Sequence, residues 1–177
     1  PLVRETMAEA GIDFDGLDRI GVAVGPGSFT GLRVGLAFAK GLGFALGRPV
    51  VGVGTLEALA ASAEGEIVAA VVDAKRGQLW MQVFGGGRAL MAPDSLEPDL
   101  ARARLAEFAG AGRMTLVGSG AEQVRDVVAD ARVADVLAPD PVALARLTAE
   151  AREPVAPPRP LYLRAPDAKL PGGRTLA

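Results

Sequence analysis

The stretch RIGVAVGPGSFTGLRVGLAFAKGLGFALG, residues 19–47, decides the fold of this chain. β-Branched residues alternate with smaller ones over 19–24, which is the two-residue period of a strand. Gly25-Pro26-Gly27 follows, and neither a strand interior nor a helix interior tolerates that tripeptide. Helical spacing of apolar residues then begins. The stretch therefore predicts a buried strand over 19–24, a tight turn, and a helix over 30–46.

The predicted helix is apolar almost all round, and Arg33 and Lys40 are its only charges. Ser28 or Thr30 can cap its first free N–H groups. Small residues four positions apart form one line along it: Gly31, Gly35, Ala39 and Gly43. Each glycine costs a helix about 1 kcal/mol relative to alanine, so this line predicts the close approach of another backbone. Either the line lies on the chain's own sheet, or the helix docks a helix of a partner chain.

Further strands and helices lie around this stretch. The predicted helices cover residues 1–10, 30–46, 56–62, 101–109, 121–131 and 141–152. The predicted strands cover residues 19–24, 50–53, 67–72, 79–84, 88–91, 114–117 and 133–137, with a strand-like island at 161–163. The order β-α-β-α at the start predicts parallel strands joined by crossovers, and therefore an α/β sheet. Strands 67–72 and 79–84 predict a hairpin whose turn has a positive φ at Gly77.

The composition excludes several kinds of site. The 177 residues contain no cysteine and no histidine, which excludes disulfides, cysteine-held zinc and Ser-His-Asp catalysis. A net charge of −2 argues against a broad nucleic-acid surface, so any RNA contact is expected to be local. No uncharged apolar run has the length of a membrane span, and no signal peptide opens the chain. We therefore expect a cytoplasmic protein with no membrane partner.

Two turns carry candidate residues for a nucleotide site. Residues 25–31 join a strand to a helix N-terminus, where free N–H groups can hold an anion, but they match neither the P-loop nor the dinucleotide pattern. Asp73 ends an apolar strand, where a carboxylate faces a cleft or a metal, or else accepts N–H groups of its own turn. A structural turn is the simpler interpretation of both segments. The candidate nucleotide-binding residues are Gly25, Gly27, Ser28, Thr30 and Asp73.

One longer pattern is more specific than these turns. GPGSFTGLRVGLAFAK, residues 25–40, resembles the signature of the TsaB (YeaZ) family of bacterial tRNA modification. The resemblance continues through PVVGVGTLEAL at 49–59, VDAKRG at 72–77 and PLYLRAPDAK at 160–169. It covers nearly the whole chain in the family's order.

The resemblance implies an actin-like ATPase or RNase H-like α/β fold in two lobes. It divides the chain into the remainder of an N-terminal lobe at 1–63, a C-terminal lobe at 64–153, and a proline-rich tail at 154–177. Members of the family open with strands that contain an Ile-Asp-Thr-Ser-like stretch, which has no match here. The chain starts at Pro1 inside an apparent helix. We therefore expect the first lobe to be incomplete at its N-terminus.

The resemblance also implies a role. TsaB-like proteins are regarded as non-catalytic scaffolds that bind and activate TsaD, the transferase subunit of the threonylcarbamoyladenosine (t6A) complex. TsaE, an ATPase, is the third member, and a homodimer competes with the TsaD complex. ATP and metal are expected on the partner subunits, with no cofactor on this chain, and tRNA is contacted indirectly. The alternative is a nucleotide-binding module or a peptidase-like enzyme of the actin-like or M22 glycoprotease-like superfamily.

No catalytic or metal-binding residue is predicted in this chain. In such proteins the early helices build the interface with TsaD, and these helices match residues 1–10 and 30–46 here. The predicted interface residues are Leu2, Val3, Met7, Gly31, Leu32, Gly35, Leu36, Phe38, Ala39, Leu42 and Gly43.

Overall fold

Strands and helices alternate through the computed structural model, which describes residues 2–152, 154 and 156–163. The described helices are α1 (Leu2–Ala10), α2 (Phe29–Leu46), α3 (Thr55–Ala61), α4 (Pro98–Ala106) and α5 (Pro141–Glu150). The described strands are β1 (Ile20–Gly25), β2 (Val50–Gly54), β3 (Ile67–Asp73), β4 (Leu79–Gly85), β5 (Arg88–Ala89), β6 (Asp94–Leu96), β7 (Met114–Val117) and β8 (Arg132–Val133). The strands form two sheets, of two and six strands.

The first sheet contains β1 and β2, which run parallel with Ile20 opposite Val50. α2 connects them as the crossover, as the β-α-β order predicts. Ser28 caps α2, since its Oγ accepts the N–H of Gly31 at 3.3 Å. The helix ends at Gly47, which has a φ of 62° and donates its N–H to the carbonyl of Gly43. The predicted strand, turn, cap and helix are therefore all confirmed.

The second sheet has the order β5-β4-β3-β7-β8, and β6 pairs with β4 on the same edge as β5, at the opposite end of the strand. β3 is its central strand, antiparallel to β4 and parallel to β7. Alternate residues of β3 face two hydrophobic clusters, one on each side of the sheet, which accounts for its continuous apolar run. The predicted hairpin is confirmed, and Gly77 has a φ of 73°. Lys75 and Arg76 also take positive φ angles, of 63° and 55°, which the sequence did not predict.

Helices cover both faces of the second sheet. α4 buries Ala101 and Leu105 on one face, and α3 buries Leu56 and Leu59 on the other. α5 instead packs on the first sheet, where Leu144 and other residues of α5 contact the cluster of Val51, Val53 and Ala58. The predicted lobes grouped residues 141–152 with the C-terminal lobe at 64–153, whereas the contacts of α5 lie with β1, β2 and α3.

The helix predicted over 121–131 is wrong. Only Ala121–Gln123 forms a short 3-10 helix, and turns follow it. The hydrogen bonds here join residues three apart, as in the bond from the Val127 N–H to the Val124 carbonyl. Asp130 has a φ of 62°, which a continuing helix cannot contain. Val124 and Val128 are buried, so core packing holds this segment where helix propensity is weak.

Other boundaries differ from the predictions by a few residues or more. The strand predicted over 133–137 pairs regularly only at Arg132–Val133, although the Gly118 N–H still donates to the Val136 carbonyl at 2.8 Å. The helix predicted over 101–109 begins earlier, because Pro98 can occupy its first turn. The short strand β6 was not predicted. The island at 161–163 is not a strand, and the tail beyond 163 lies outside the described residues.

Candidate partner interface

The line of small residues on α2 lies largely against the chain's own first sheet. A Cβ added at Gly43 would collide with a methyl group of Val50 and lie 2.9 Å from the Arg48 carbonyl oxygen. A Cβ at Gly35 would lie 3.9 Å from a methyl group of Val22 in β1. Ala39 is 4% exposed, on the same face. Close packing on the chain's own sheet therefore explains Gly43, which is the first of the two interpretations.

A different face of α2 is open, beside α1. Leu2 of α1 is 75% exposed and Phe38 of α2 is 55% exposed, although both are large and apolar. Between the two helices runs a groove of about 990 Å³, lined by Leu2, Val3, Arg4, Phe14, Phe38, Leu42 and Leu46. We call this opening, with its seven lining residues, the α1/α2 groove. Its walls are apolar except for Arg4, so the groove leaves hydrophobic surface in contact with water.

The apolar surface continues from this groove onto β1. Among the described residues β1 pairs only with β2, which leaves its other edge without a strand. A second hollow of about 470 Å³ runs beside this edge, lined by residues of α1, β1, α2 and α5 that include Val3, Phe38 and Leu42. The same three side chains therefore border both openings.

The predicted interface residues fall into two groups. Leu2, Val3, Met7, Gly31, Gly35, Phe38 and Leu42 are exposed or partly exposed. Leu32, Leu36, Ala39 and Gly43 are buried within the chain itself. The structure brings Leu2, Val3, Phe38 and Leu42 together around the α1/α2 groove. Arg4, Phe14 and Leu46 also line it and were not predicted. The i, i+4 and i+8 spacing of Phe38, Leu42 and Leu46 is the signal that identifies Leu46.

The loop of residues 25–31 is bordered by the C-terminal segment. The N–H of Leu161 donates to the Val24 carbonyl at 2.7 Å, at the end of β1. Gly25 has a φ of 114°, and a Cβ there would lie 2.7 Å from the Leu161 carbonyl oxygen, so only glycine suits this position. The Ser28 Oγ is engaged as the helix cap. A nucleotide at Gly25, Gly27, Ser28 and Thr30 stays a prediction.

Asp73 is engaged in its own turn. Its carboxylate accepts the N–H of Lys75 at 2.7 Å and pairs with the Lys75 ammonium at 3.1 Å. These contacts, the backbone N–H above all, hold the pKa of the Asp73 carboxyl below its usual value. The Asp73 N–H donates to Ser119 Oγ at 3.1 Å. The geometry is that of the turn which the sequence offered as the simpler interpretation.

The described residues contain no cluster of metal-ligating side chains, and one of their helices has the length and composition of a membrane span. Within 2–152, 154 and 156–163, no three acidic side chains cluster so as to hold a metal ion. α2 is long and apolar enough to cross a membrane by length and composition, which for a single helix is weak evidence. It is joined to the first sheet by the packing of Gly43 on Val50. We therefore interpret α2 as a helix of the first lobe.

Comparisons with known proteins agree on one family. A family model described as TsaD, tRNA N6-adenosine threonylcarbamoyltransferase, matches residues 1–98. An uncharacterized protein of Mycobacterium tuberculosis is 36% identical over 176 residues, which cover 96% of this chain and 74% of that protein. The tRNA threonylcarbamoyladenosine biosynthesis protein TsaB of Haemophilus influenzae is 36% identical over 84 residues, 45% of this chain and 36% of that protein.

Two solved structures from Pseudomonas aeruginosa share the fold. One is an uncharacterized protein with similarity to peptidase YEAZ, with a TM-score of 0.77 and 28% identity over 93% of this chain and 82% of that chain. The other is YeaZ, with a TM-score of 0.72 and 29% identity over 84% of this chain and 72% of that chain. The two sheets and their helices thus define an actin-like, RNase H-like protein, as predicted. The chain belongs to the TsaB (YeaZ) family.

Proposed function

We propose that this chain is a non-catalytic subunit of the t6A tRNA modification machinery, and that it docks the transferase TsaD through the α1/α2 groove. The Haemophilus relative, a threonylcarbamoyladenosine biosynthesis protein, supports the pathway. The observation that carries the docking site is the 55% exposure of Phe38 at the junction of two apolar hollows. A partner helix in the groove would bury this surface and repeat the geometry of a helix-in-groove complex.

A scaffold role agrees with the side chains at hand. The sequence has no histidine or cysteine, so the commonest acid-base and thiolate catalysts are missing. Activation of TsaD would then come from the contact itself, which favours one conformation of the partner over another. The same groove serves a homodimer in competition with TsaD, and TsaE joins the heterodimer. The complex works in the cytoplasm and carries ATP and metal on the other subunits.

The test uses two phenylalanines of the same helix. Phe38 borders the groove, whereas Phe44 lies about 120° away around the helix axis and is 92% exposed. Phe38→Asp should weaken TsaD binding at least tenfold, because an unpaired carboxylate would be buried at the centre of the interface. Phe44→Asp adds the same charge outside the groove and should bind like the wild type.

Light scattering of mixtures with TsaD from the same organism gives the mass of the complex, and calorimetry gives its affinity. Circular dichroism of each variant alone shows whether the fold is retained. Equal affinity of Phe38→Asp and the wild type, with both folded, would remove the groove from the interface. A wild-type mixture that scatters as separate species would contradict the docking proposal as a whole.

A further inference from the structure

A second flank of α2 carries alternating rings and positive charges. Its members lie at positions i, i+4, i+11 and i+15, which an α-helix of 3.6 residues per turn brings within an arc of about 60°. They are Phe29, Arg33, Lys40 and Phe44. We call this line, together with Arg48 and Tyr162, the basic flank. It is separated from Phe38 of the α1/α2 groove by about 120° or more around the helix axis.

The flank lies in a part of the chain that lacks acids. Residues 19–56 contain four cations, Arg19, Arg33, Lys40 and Arg48, and no aspartate or glutamate, although the whole chain has a net charge of −2. Arg19 is used internally, because its guanidinium donates to carbonyls at the end of α5, with the shortest bond of 2.7 Å to Ala151. Within the described residues, the other three form no ion pair. Their charges are therefore available to an anion.

The N-terminal end of the flank is a preformed stack. The guanidinium carbon of Arg33 lies 3.7 Å above the centre of the Phe29 ring, and the Arg33 Nε donates to the Tyr162 hydroxyl at 3.0 Å. The Phe29 and Tyr162 rings are 5.3 Å apart. Both rings are about 40% exposed. The guanidinium and the two rings therefore form a partly exposed cation–π stack.

The C-terminal end of the flank is an open groove of about 690 Å³. Its walls come from the end of α2, the start of β2 and the segment after α5, and they include Lys40, Phe44 and Arg48. A terminal N–H of the Arg48 guanidinium donates to the Asp15 carbonyl at 2.8 Å. The Nε–H of Arg48 is buried and has no acceptor in the described part of the chain. Lys40 and Arg48 place two positive charges along this groove. Phe44, 92% exposed, stands beside these two cations.

We infer that the basic flank binds single-stranded RNA directly. Lys40, Arg48 and Arg33 contact phosphates, and unpaired bases stack on Phe44 and on the Phe29–Tyr162 pair. The line from Phe29 to Phe44 is about 22 Å long, which is about six nucleotides at a stacked spacing of about 3.4 Å. The proposal rests on the proposed function only for identifying the RNA as the tRNA of the complex. The inference gives this chain a direct contact with tRNA, whereas the family resemblance implied an indirect one.

Single-stranded RNA fits the flank better than an acidic protein does. Carboxylate partners would account for the three cations but not for the rings that alternate with them. A duplex presents its phosphates but hides its bases, so it would leave Phe44 without a stacking partner. An unpaired strand offers both groups at once, which is the usual chemistry of single-strand binding.

Fluorescence anisotropy tests this with a labelled 12-nucleotide single-stranded RNA, the same sequence as a duplex, and a polyglutamate peptide. Phe44→Ala should weaken single-strand binding about 5- to 100-fold, since a base loses its stacking partner. The matched control Leu100→Ala, which truncates an exposed apolar side chain of α4, should bind like the wild type. Three phosphate contacts predict a slope of log affinity against log salt of about −2, falling to about −0.7 in Lys40→Gln/Arg48→Gln.

The outcomes are distinguishable. Wild-type affinity of Phe44→Ala, or no single-strand binding at 50 mM salt, would overturn the inference. So would polyglutamate binding that matches the RNA, since the flank would then recognise an acidic protein. A wild-type chain that binds RNA but does not bind TsaD would reject the docking proposal and leave this one standing. A Lys40→Gln/Arg48→Gln chain that binds TsaD like the wild type but binds RNA more weakly is the result expected when both are right.

Discussion

Replacing Gly41 and Gly43 of α2 by alanine separates the two interpretations of the small residues on that helix. A Cβ at Gly43 would collide with Val50 and lie 2.9 Å from the Arg48 carbonyl oxygen, whereas a Cβ at Gly41 has no heavy atom within 4 Å. Both substitutions gain about 1 kcal/mol in helix propensity, and only Gly43→Ala overpacks the helix against β2, at about 1–3 kcal/mol. The gain in helix propensity is the same for both variants, so it cancels when they are compared. The free energy of unfolding of Gly41→Ala should therefore exceed that of Gly43→Ala by about 1–3 kcal/mol, and it should also exceed that of the wild type.

Urea unfolding followed by circular dichroism measures this difference, and thermal melting gives a second estimate. For a chain of this size each kcal/mol moves the melting temperature by about 2–4 °C, so the two variants should melt about 2–12 °C apart. Equal stabilisation by both alanines would refute the reasoning, because Gly43 would then have free space beside it. The small-residue line would in that case be open to a partner helix.

Two further predictions concern local contacts. Ser28→Ala should lower the free energy of unfolding by about 1 kcal/mol, because the Gly31 N–H loses its acceptor. Ser28→Asp should retain the wild-type stability, because aspartate also caps a helix. Chemical denaturation compares the two variants, and wild-type stability of Ser28→Ala would mean that the cap contributes nothing. The depressed pKa of Asp73 means that its contacts with Lys75 stabilise the fold above the unfolded-state pKa of about 3.9, and that this contribution is lost as pH falls through the lower folded-state pKa. Melting of the wild type and Asp73→Asn at pH 7 and pH 3 should show a smaller wild-type advantage at pH 3 than at pH 7. An advantage of equal size at both would contradict this.

Local sequence predicted the first lobe well and the end of the second lobe poorly. The strand–turn–helix around Gly25 is set by its own residues: a strand period, a tripeptide that breaks it, and a capping serine. The segment after Ala121 lacks such signals. Its buried residues Val124 and Val128 are four positions apart, which is a helical spacing, so the apolar pattern alone predicts a helix there. The structure instead holds the segment through Arg102 of α4, which donates to the Gln123 carbonyl and to Asp126. These contacts between distant segments have no signature in a short window of sequence.

The candidate site was predicted in outline and not in detail. The apolar character of α2 marked it as an interface, but sequence alone did not show which faces its own sheet would cover. Gly43 was singled out for its conformational cost in a helix, and the structure buries it against the first sheet. Arg33 meets Tyr162 across 129 positions of chain. A contact between such distant residues is decided by the path of the chain after α5, which no local pattern specifies.

The return of α5 and Leu161 to the first sheet bears on how the chain folds during synthesis. β1 and β2 are made early, yet the residues that cover them arrive after about 90 further residues. At translation rates of about 5–20 residues per second, the early strands therefore wait about 5–20 s with an uncovered face. During that interval the nascent chain exposes two parallel strands and an apolar helix. This is the kind of surface that holdase chaperones bind, so synthesis of this protein should depend on them more than refolding of the finished chain does.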